Sequence, residues 1–388
     1  MRRVAFTNGL IFNSNTEEFV SATVLCEDGF IVDVTRDDIP YDYEIVDLNG
    51  KHLIPGLVDV HTHGIGGNDF NLAKENEIPF MCSKYARLGT TSVMATLASD
   101  TMTHLINSVF AINQNRLRER AGCANILGIH LEGRYLNPEM RGAHALDLLA
   151  KPSIDELSSM VSSMMPPPIH ISCAPELEGG EAFIKKALEL GATVGIAHTN
   201  ATYEQARHAI SLGARSFTHT FNAMTKVHHR MPGAAVCSLT SDDAYTEIIV
   251  DGEHLHPAIV NLTYRSKPKD KLVLITDSMA AAGCSTDGEF SVGGTKVYIK
   301  NGRAINEDGV LAGSTLTMFK AMTNLMKFCG ISLNEAIKYA TVNPASMVKA
   351  DFVGRIAKCY RADFIVIEDI ENPEIDTVYV GAQRIIKD

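Results

Sequence analysis

From residue 53 onward, short apolar runs alternate with stretches whose apolar positions recur at helical spacing. Leu53-Ile54-Pro55-Gly56-Leu57-Val58-Asp59-Val60 is the first run, and residues 90–96, 125–132, 170–176, 193–198, 215–219 and 272–277 read as further strands. Helices are expected over 102–121, 180–190, 202–212 and within 314–343. Near-continuous apolar strands separated by helices imply a parallel sheet covered on both faces. With this many units, a closed (β/α)8 barrel of the α/β class is expected rather than an open sheet.

The two ends of the chain have a different period. Val4-Ala5-Phe6-Thr7 runs into the turn Asn8-Gly9, residues 22–26 run into Glu27-Asp28-Gly29, and 30–34 form another strand. Past the helical stretch, 353–356, 362–367 and 378–380 also read as strands. Residues 1–52 and 347–388 are therefore expected to pair as one small β-sandwich domain flanking a barrel over 53–346.

Composition narrows the class. An apolar content of 45% with 21% charged residues is that of a globular protein, and a net charge of −11 argues against a general nucleic-acid binder. No apolar run reaches membrane-spanning length, and the stretch opening Met1-Arg2-Arg3-Val4 lacks the long apolar core and cleavage site expected of a signal peptide. The eight cysteines form no Cys-x-x-Cys pair. They read as buried apolar residues in a reducing compartment, which makes the cytoplasm the expected location.

The candidate chemistry lies where the strands end. His61 and His63 project from one face of a strand end, because side chains at i and i+2 share a face. Glu132, Glu176, His198, His219 and Asp277 each close a separate apolar run. The carboxyl ends of barrel strands form the catalytic face of that architecture. Histidine and carboxylate together suit zinc or another borderline divalent ion, and the lack of cysteine donors argues against a structural zinc site. Asp277, last in order and on its own strand, is the choice for the acid/base that moves a proton.

These stretches resemble the amidohydrolase superfamily and, within it, the N-acetylglucosamine-6-phosphate deacetylases. The similarity rests on Pro55-Gly-Leu-Val-Asp-Val-His-Thr-His-Gly64, His130-Leu-Glu-Gly133, Arg141-Gly-Ala-His144, Ala197-His-Thr-Asn-Ala201 and Thr218-His-Thr-Phe-Asn-Ala-Met224. Asp251-Gly-Glu-His254, Thr276-Asp-Ser-Met-Ala-Ala-Ala-Gly283 and Leu311-Ala-Gly-Ser-Thr-Leu-Thr317 extend it over nearly the whole chain. The resemblance implies that Glu132, His198 and His219 hold a divalent ion, and that His61 and His63 can hold a second. Zinc is the first choice; iron, manganese and cobalt are the alternatives. It implies Asp277 as acid/base, His144 as the group that polarises the acetyl carbonyl, and Ala143, Asn222 and Ala223 as substrate contacts. Arg230 and His254 would bind the phosphate, partly across a homodimer, and Leu311, Ala312 and Gly313 would close over the substrate. The implied reaction is hydrolysis of N-acetylglucosamine 6-phosphate to glucosamine 6-phosphate and acetate. The galactosamine epimer is the nearest alternative, and a cyclic-amide substrate a more distant one.

Three departures from the family pattern stand out. Arg134 follows Gly133 where relatives carry proline, so it would either meet the phosphate or pair with an acidic neighbour. Lys226-Val227-His228-His229 is rich in histidine, and Lys358-Cys359-Tyr360 replaces a glycine turn.

Overall fold

The computed structural model describes residues 2–118, 120–284, 287–300 and 302–385. Eight parallel strands run in chain order around one sheet: β1 (Leu57–Thr62), β2 (Thr90–Ala98), β3 (Asn125–Glu132), β4 (Ile169–Cys173), β5 (Thr193–Ile196), β6 (Ser216–Phe217), β7 (Tyr245–Ile249) and β8 (Leu272–Ile275). Beyond their last residues β8 and β1 are drawn together, with Asp277 N–H donating to the His61 carbonyl (2.9 Å) and His63 N–H to that of Ser278 (2.8 Å). Thr62 and Ser278 form a parallel bridge there. β1 and β2 are buried at every position, as strands covered on both faces must be. The expected (β/α)8 barrel is thus the observed architecture.

The helices pack outside with their apolar stripes inward. α1 (Ile78–Arg87) buries Ile78, Met81, Cys82 and Tyr85, and α2 (Met102–Arg116) buries Leu105, Val109 and Ile112. The Thr101 side chain caps α2 by accepting from His104 N–H. α2 ends at Arg116, short of the expected 121; Glu119, within that expected helix, lies outside the described residues. The long helix expected within 314–343 begins only at Met318, capped by Thr317, and stops at Cys329, where Gly330 takes a left-handed conformation.

The two ends of the chain build two sheets. One holds Phe30–Thr35, Thr23–Glu27, Arg3–Thr7 and Glu44–Asp47; the other holds Gln383–Ile385, Ile375–Val380, Phe364–Ile367, His52–Pro55, Leu10–Asn13 and Glu18–Ser21. They share a core in which Phe6 meets Phe364 and Tyr379 edge-to-face at 5.0 and 4.8 Å. His52–Pro55 pairs with Phe364–Ile367, so the chain crosses into the barrel at Gly56 rather than at the expected 52/53 boundary. Residues 386–388 of that expected domain lie outside the described residues.

One sequence expectation is corrected, and two elements that the sequence pattern did not reveal are added. Residues 353–356 are not a strand, because Gly354 has φ +77° and packs against the Thr341 carbonyl. Tyr245–Ile249 is a barrel strand that its central Glu247 disguised in the apolar pattern. Gly288–Val292, Thr295–Lys300 and Arg303–Asn306 form an antiparallel sheet inserted after β8, and it packs over the barrel mouth on Met279, Ala281 and Ala312.

Candidate active site

The strand ends deliver their polar side chains to one place. His61 lies near the end of β1 with His63 just past it, Glu132 is the last residue of β3, and His198, His219 and Asp277 each lie two residues past β5, β6 and β8. Those last three have φ of +44°, +31° and +48°. Non-glycine residues held there carry strain of about 1–3 kcal/mol each, which packed surroundings must outweigh. Here the chain leaves its strand and turns each side chain toward the barrel axis.

Glu132 is the hub. Its Oε1 lies 2.8 Å from His219 Nε2 and 3.4 Å from His198 Nε2. Its Oε2 lies 3.0 Å from His63 Nε2 and 3.3 Å from His61 Nε2. Asp277 Oδ1 closes the second group, 3.2 Å from His63 Nε2 and 3.4 Å from His61 Nε2. His61, His63, Glu132 and Asp277 form one set of donors able to hold a metal ion, and Glu132, His198 and His219 form another, so Glu132 belongs to both.

The donor atoms fit such an ion. All four imidazoles turn Nε2 inward, and the buried His61 Nε2 has no hydrogen-bond partner. His198 Nδ1 is 2.8 Å from the Met140 carbonyl, which places its proton on Nδ1 and leaves Nε2 free to coordinate. Nitrogen and carboxylate oxygen without sulfur is a donor set for zinc or another borderline divalent ion.

Charge within the cluster is strongly coupled. Burial raises the Glu132 carboxyl, but the His61 charge and the nearby imidazoles of His198 and His219 outweigh it and hold it well below the usual range. Burial likewise opposes ionisation of Asp277, while His61 and His63 pull it down to about 2, so it is an anion ready to accept a proton. Burial lowers His63, yet Asp277 and Glu132 lift it to about 9; the same carboxylates raise His61 well above its ordinary value. His63 is therefore protonated at neutral pH in the ion-free protein, and the same carboxylates bias His61 in that direction. Metal uptake must displace protons from these imidazoles, so affinity is expected to rise with pH from 6.5 towards 9, by up to about tenfold per unit for each proton released. Competition titration with a chromophoric chelator measures this, and a flat profile would refute it.

Above the cluster lies a cavity of about 300 Å³. His63, Glu132, Ala143, His144, His198, His219, Asn222, Ala223, His254, Asp277, Leu311, Ala312 and Gly313 all line it, so the structure brings nearly every expected site residue together. Gly313 has φ +67°, and a Cβ there would sit 3.0 Å from the Asp277 carbonyl oxygen, so this close turn requires glycine. His144 Nδ1 accepts from Ser99 N–H at 3.4 Å, which leaves the proton on Nε2, 3.9 Å from Glu132 Oε2. Burial pushes this imidazole down to about 3, so it is neutral and a donor. His254 is braced by Asp251, whose Oδ2 lies 2.6 Å from its Nδ1 and whose Oδ1 accepts its backbone N–H at 2.8 Å.

Three expected residues lie elsewhere. Arg230 is exposed beside His229 and does not reach the cavity. Glu176 accepts from Asn137, Thr199 and Asn200 N–H, and so ties loops together instead of joining the cluster. Arg134 turns away from the mouth to a two-point pair with Glu156 and the Asp100 carbonyl, which favours the acidic-neighbour alternative. The sequence reading missed Val292, Gly293 and Thr295, which reach the cavity from the inserted sheet. The Gly293-Gly294 pair between alternating strands was the available hairpin signal. A larger cleft of about 380 Å³, lined by Arg2, Arg116, Arg118, Arg120 and Arg361, lies where the sandwich meets the barrel, apart from this chemistry.

The sequence matches the amidohydrolase family profile over residues 52–385. It is 32% identical over 349 residues to an N-acetylglucosamine-6-phosphate deacetylase of Lysinibacillus sphaericus, covering 89% of each chain. It is also 32% identical over 330 residues to an N-acetylgalactosamine-6-phosphate deacetylase of Escherichia coli O157:H7, covering 85% of this chain and 87% of that one. The fold superposes with a TM-score of 0.90 and 28% identity, over 100% of both chains, on a mutant N-acetyl-D-glucosamine-6-phosphate deacetylase of Mycobacterium smegmatis solved with N-acetyl-D-glucosamine 6-phosphate. A barrel of this topology, with a carboxylate shared between two histidine groups at its mouth and a family match across both, belongs to the amidohydrolase family.

Proposed function

We propose that this chain hydrolyses the N-acetyl group of N-acetyl-D-glucosamine 6-phosphate, releasing D-glucosamine 6-phosphate and acetate. The observation that carries this reading is Asp277, an ionised carboxylate beside a donor cluster, facing the neutral Nε2–H of His144 across one cavity. Glu132, His198 and His219 would hold one divalent ion and His61 and His63 a second, zinc being the first choice. When bound, such an ion lowers the pKa of water and polarises a carbonyl.

The protein's own groups then divide the work. His144 donates Nε2–H to the acetyl oxygen as negative charge develops there. Asp277 takes a proton from the attacking water and delivers it to the sugar nitrogen as the C–N bond breaks. Ala143, Asn222 and Ala223 hold the sugar, and Leu311, Ala312 and Gly313 close behind it. His254 takes the phosphate, with Asp251 orienting its ring. Arg230 would complete that site in a second copy of the chain: it sits on an exposed segment with Val227 and Met231 unpacked, at 57% and 72% exposure. Eight unpaired cysteines support assignment to the cytoplasm. No helix among the described residues is long and apolar enough to cross a membrane.

Equal identity to the E. coli relative keeps the galactosamine epimer as a second reading. Acetate release from both 6-phosphates and from unphosphorylated N-acetylglucosamine separates them. Turnover of the glucosamine 6-phosphate substrate is expected to exceed the other two by at least about tenfold, roughly the worth of one well-made polar contact. Preference for the epimer would transfer the assignment to it, and no acetate from any of the three would end the deacetylase reading.

A further inference from the structure

Beneath the cluster, inside the barrel, sits a carboxylate that the mechanism does not use. Glu247 lies at the middle of β7 and is fully buried. No lysine or arginine pairs with it among the described residues; its ionic neighbours are histidines. Oε2 lies 3.4 Å from His61 Nδ1 and accepts the His219 backbone N–H at 3.3 Å. Oε1 has no hydrogen bond and is 3.8 Å from His170 Nε2. A buried carboxylate so poorly compensated is retained at a cost to stability, which points to use.

The geometry of His61 shows what that use is. Its ring lies between Glu247 on the Nδ1 side and the cluster on the Nε2 side, where Glu132 and Asp277 are 3.3 and 3.4 Å away. An imidazole that coordinates through Nε2 must carry its proton on Nδ1, and the group facing Nδ1 decides that tautomer. Among the other cluster histidines, His198 has a neutral carbonyl in that place, and His63 and His219 have no partner at Nδ1. His61 alone has a carboxylate.

We infer that Glu247 is a positioning residue that sets the tautomer and donor strength of His61, and so controls occupancy of the His61/His63 side of the centre rather than the His198/His219 side. This rests on the metal-dependent reading above.

The test begins with ion-free protein titrated with Zn²⁺ against a chelator, for the wild type, E247Q, H61A and the H61A/E247Q double variant. Wild type is expected to take up two ions. E247Q keeps the acceptor for His219 N–H but loses the charge facing His61, and should weaken the second ion by about 10–100-fold while leaving the first within about twofold. In the H61A background, E247Q should change the remaining ion's affinity by less than about twofold, since the two residues act as one unit. Three results would overturn the inference: wild-type binding of only one ion, unchanged binding of both in E247Q, or equal weakening of both. Should E247Q fail to fold, ¹⁵N-histidine spectra of zinc-loaded wild type supply a separate readout. His61 is expected to be protonated at Nδ1, and protonation at Nε2 would refute the assignment. Acetate release is followed on the same samples; two bound ions without acetate would end the substrate reading and leave this one standing.

Discussion

Replacing Asp277 by Asn is expected to lower kcat for acetate release by about 10²–10⁴-fold, the range for a positioned general acid–base group. The change preserves shape and hydrogen bonding but removes the negative charge that Asp277 holds down to about pH 2. An amide cannot take the proton from water, so the nucleophile is not generated and the leaving nitrogen is not protonated. KM should move by less than about threefold, because His254, Asn222 and Ala223, the proposed phosphate and sugar contacts, are untouched. One ion should remain, since Glu132, His198 and His219 do not involve Asp277. Steady-state kinetics with metal analysis on the same sample measures both quantities. Activity within tenfold of wild type would remove Asp277 from the proton path.

Glu132→Gln should have the wider effect. Glu132 is the one donor common to both candidate metal sets, and its two oxygens lie within 3.4 Å of four histidine Nε2 atoms. A neutral amide cannot bridge as a carboxylate does, and its NH₂ would point at imidazole nitrogen or at an ion. The variant is expected to retain less than one ion per chain and to show no measurable turnover. It also leaves buried imidazoles without their counter-charge. Removing one partner from a buried ion pair costs roughly 3–5 kcal/mol, so the ion-free variant should melt well below ion-free wild type. Metal analysis and thermal melts check this; two retained ions with a wild-type melting temperature would show that Glu132 is not the bridge.

Most of the site was legible because its signals are local. A strand end followed by a polar residue is visible in a single run of chain, and His61, His63, Glu132, His198, His219 and Asp277 all announce themselves in that way. Glu176 gave the same local signal yet serves three loop hydrogen bonds. Alternation along a strand cannot say whether a terminal side chain turns to the axis or to a neighbouring loop. Glu247 failed in the opposite direction. A glutamate amid Tyr245-Thr246 and Ile248-Ile249 interrupts the apolar pattern by which the other strands were read, because the interior that accepts it is built by the barrel's other strands.

The residue pattern alone pointed to the βα alternation, the barrel, β structure at both chain ends and histidines and carboxylates at the strand ends, Glu176 among them. Each of these follows from burial periodicity and side-chain chemistry, which are properties of short segments. Only the tertiary structure decided that Glu132 is shared between two sets of histidines, that Arg134 serves Glu156, that the inserted sheet lies over the mouth, and that Arg230 stands apart from the cavity. Those outcomes depend on distances between residues far apart in the chain, and the closure of the barrel sets them.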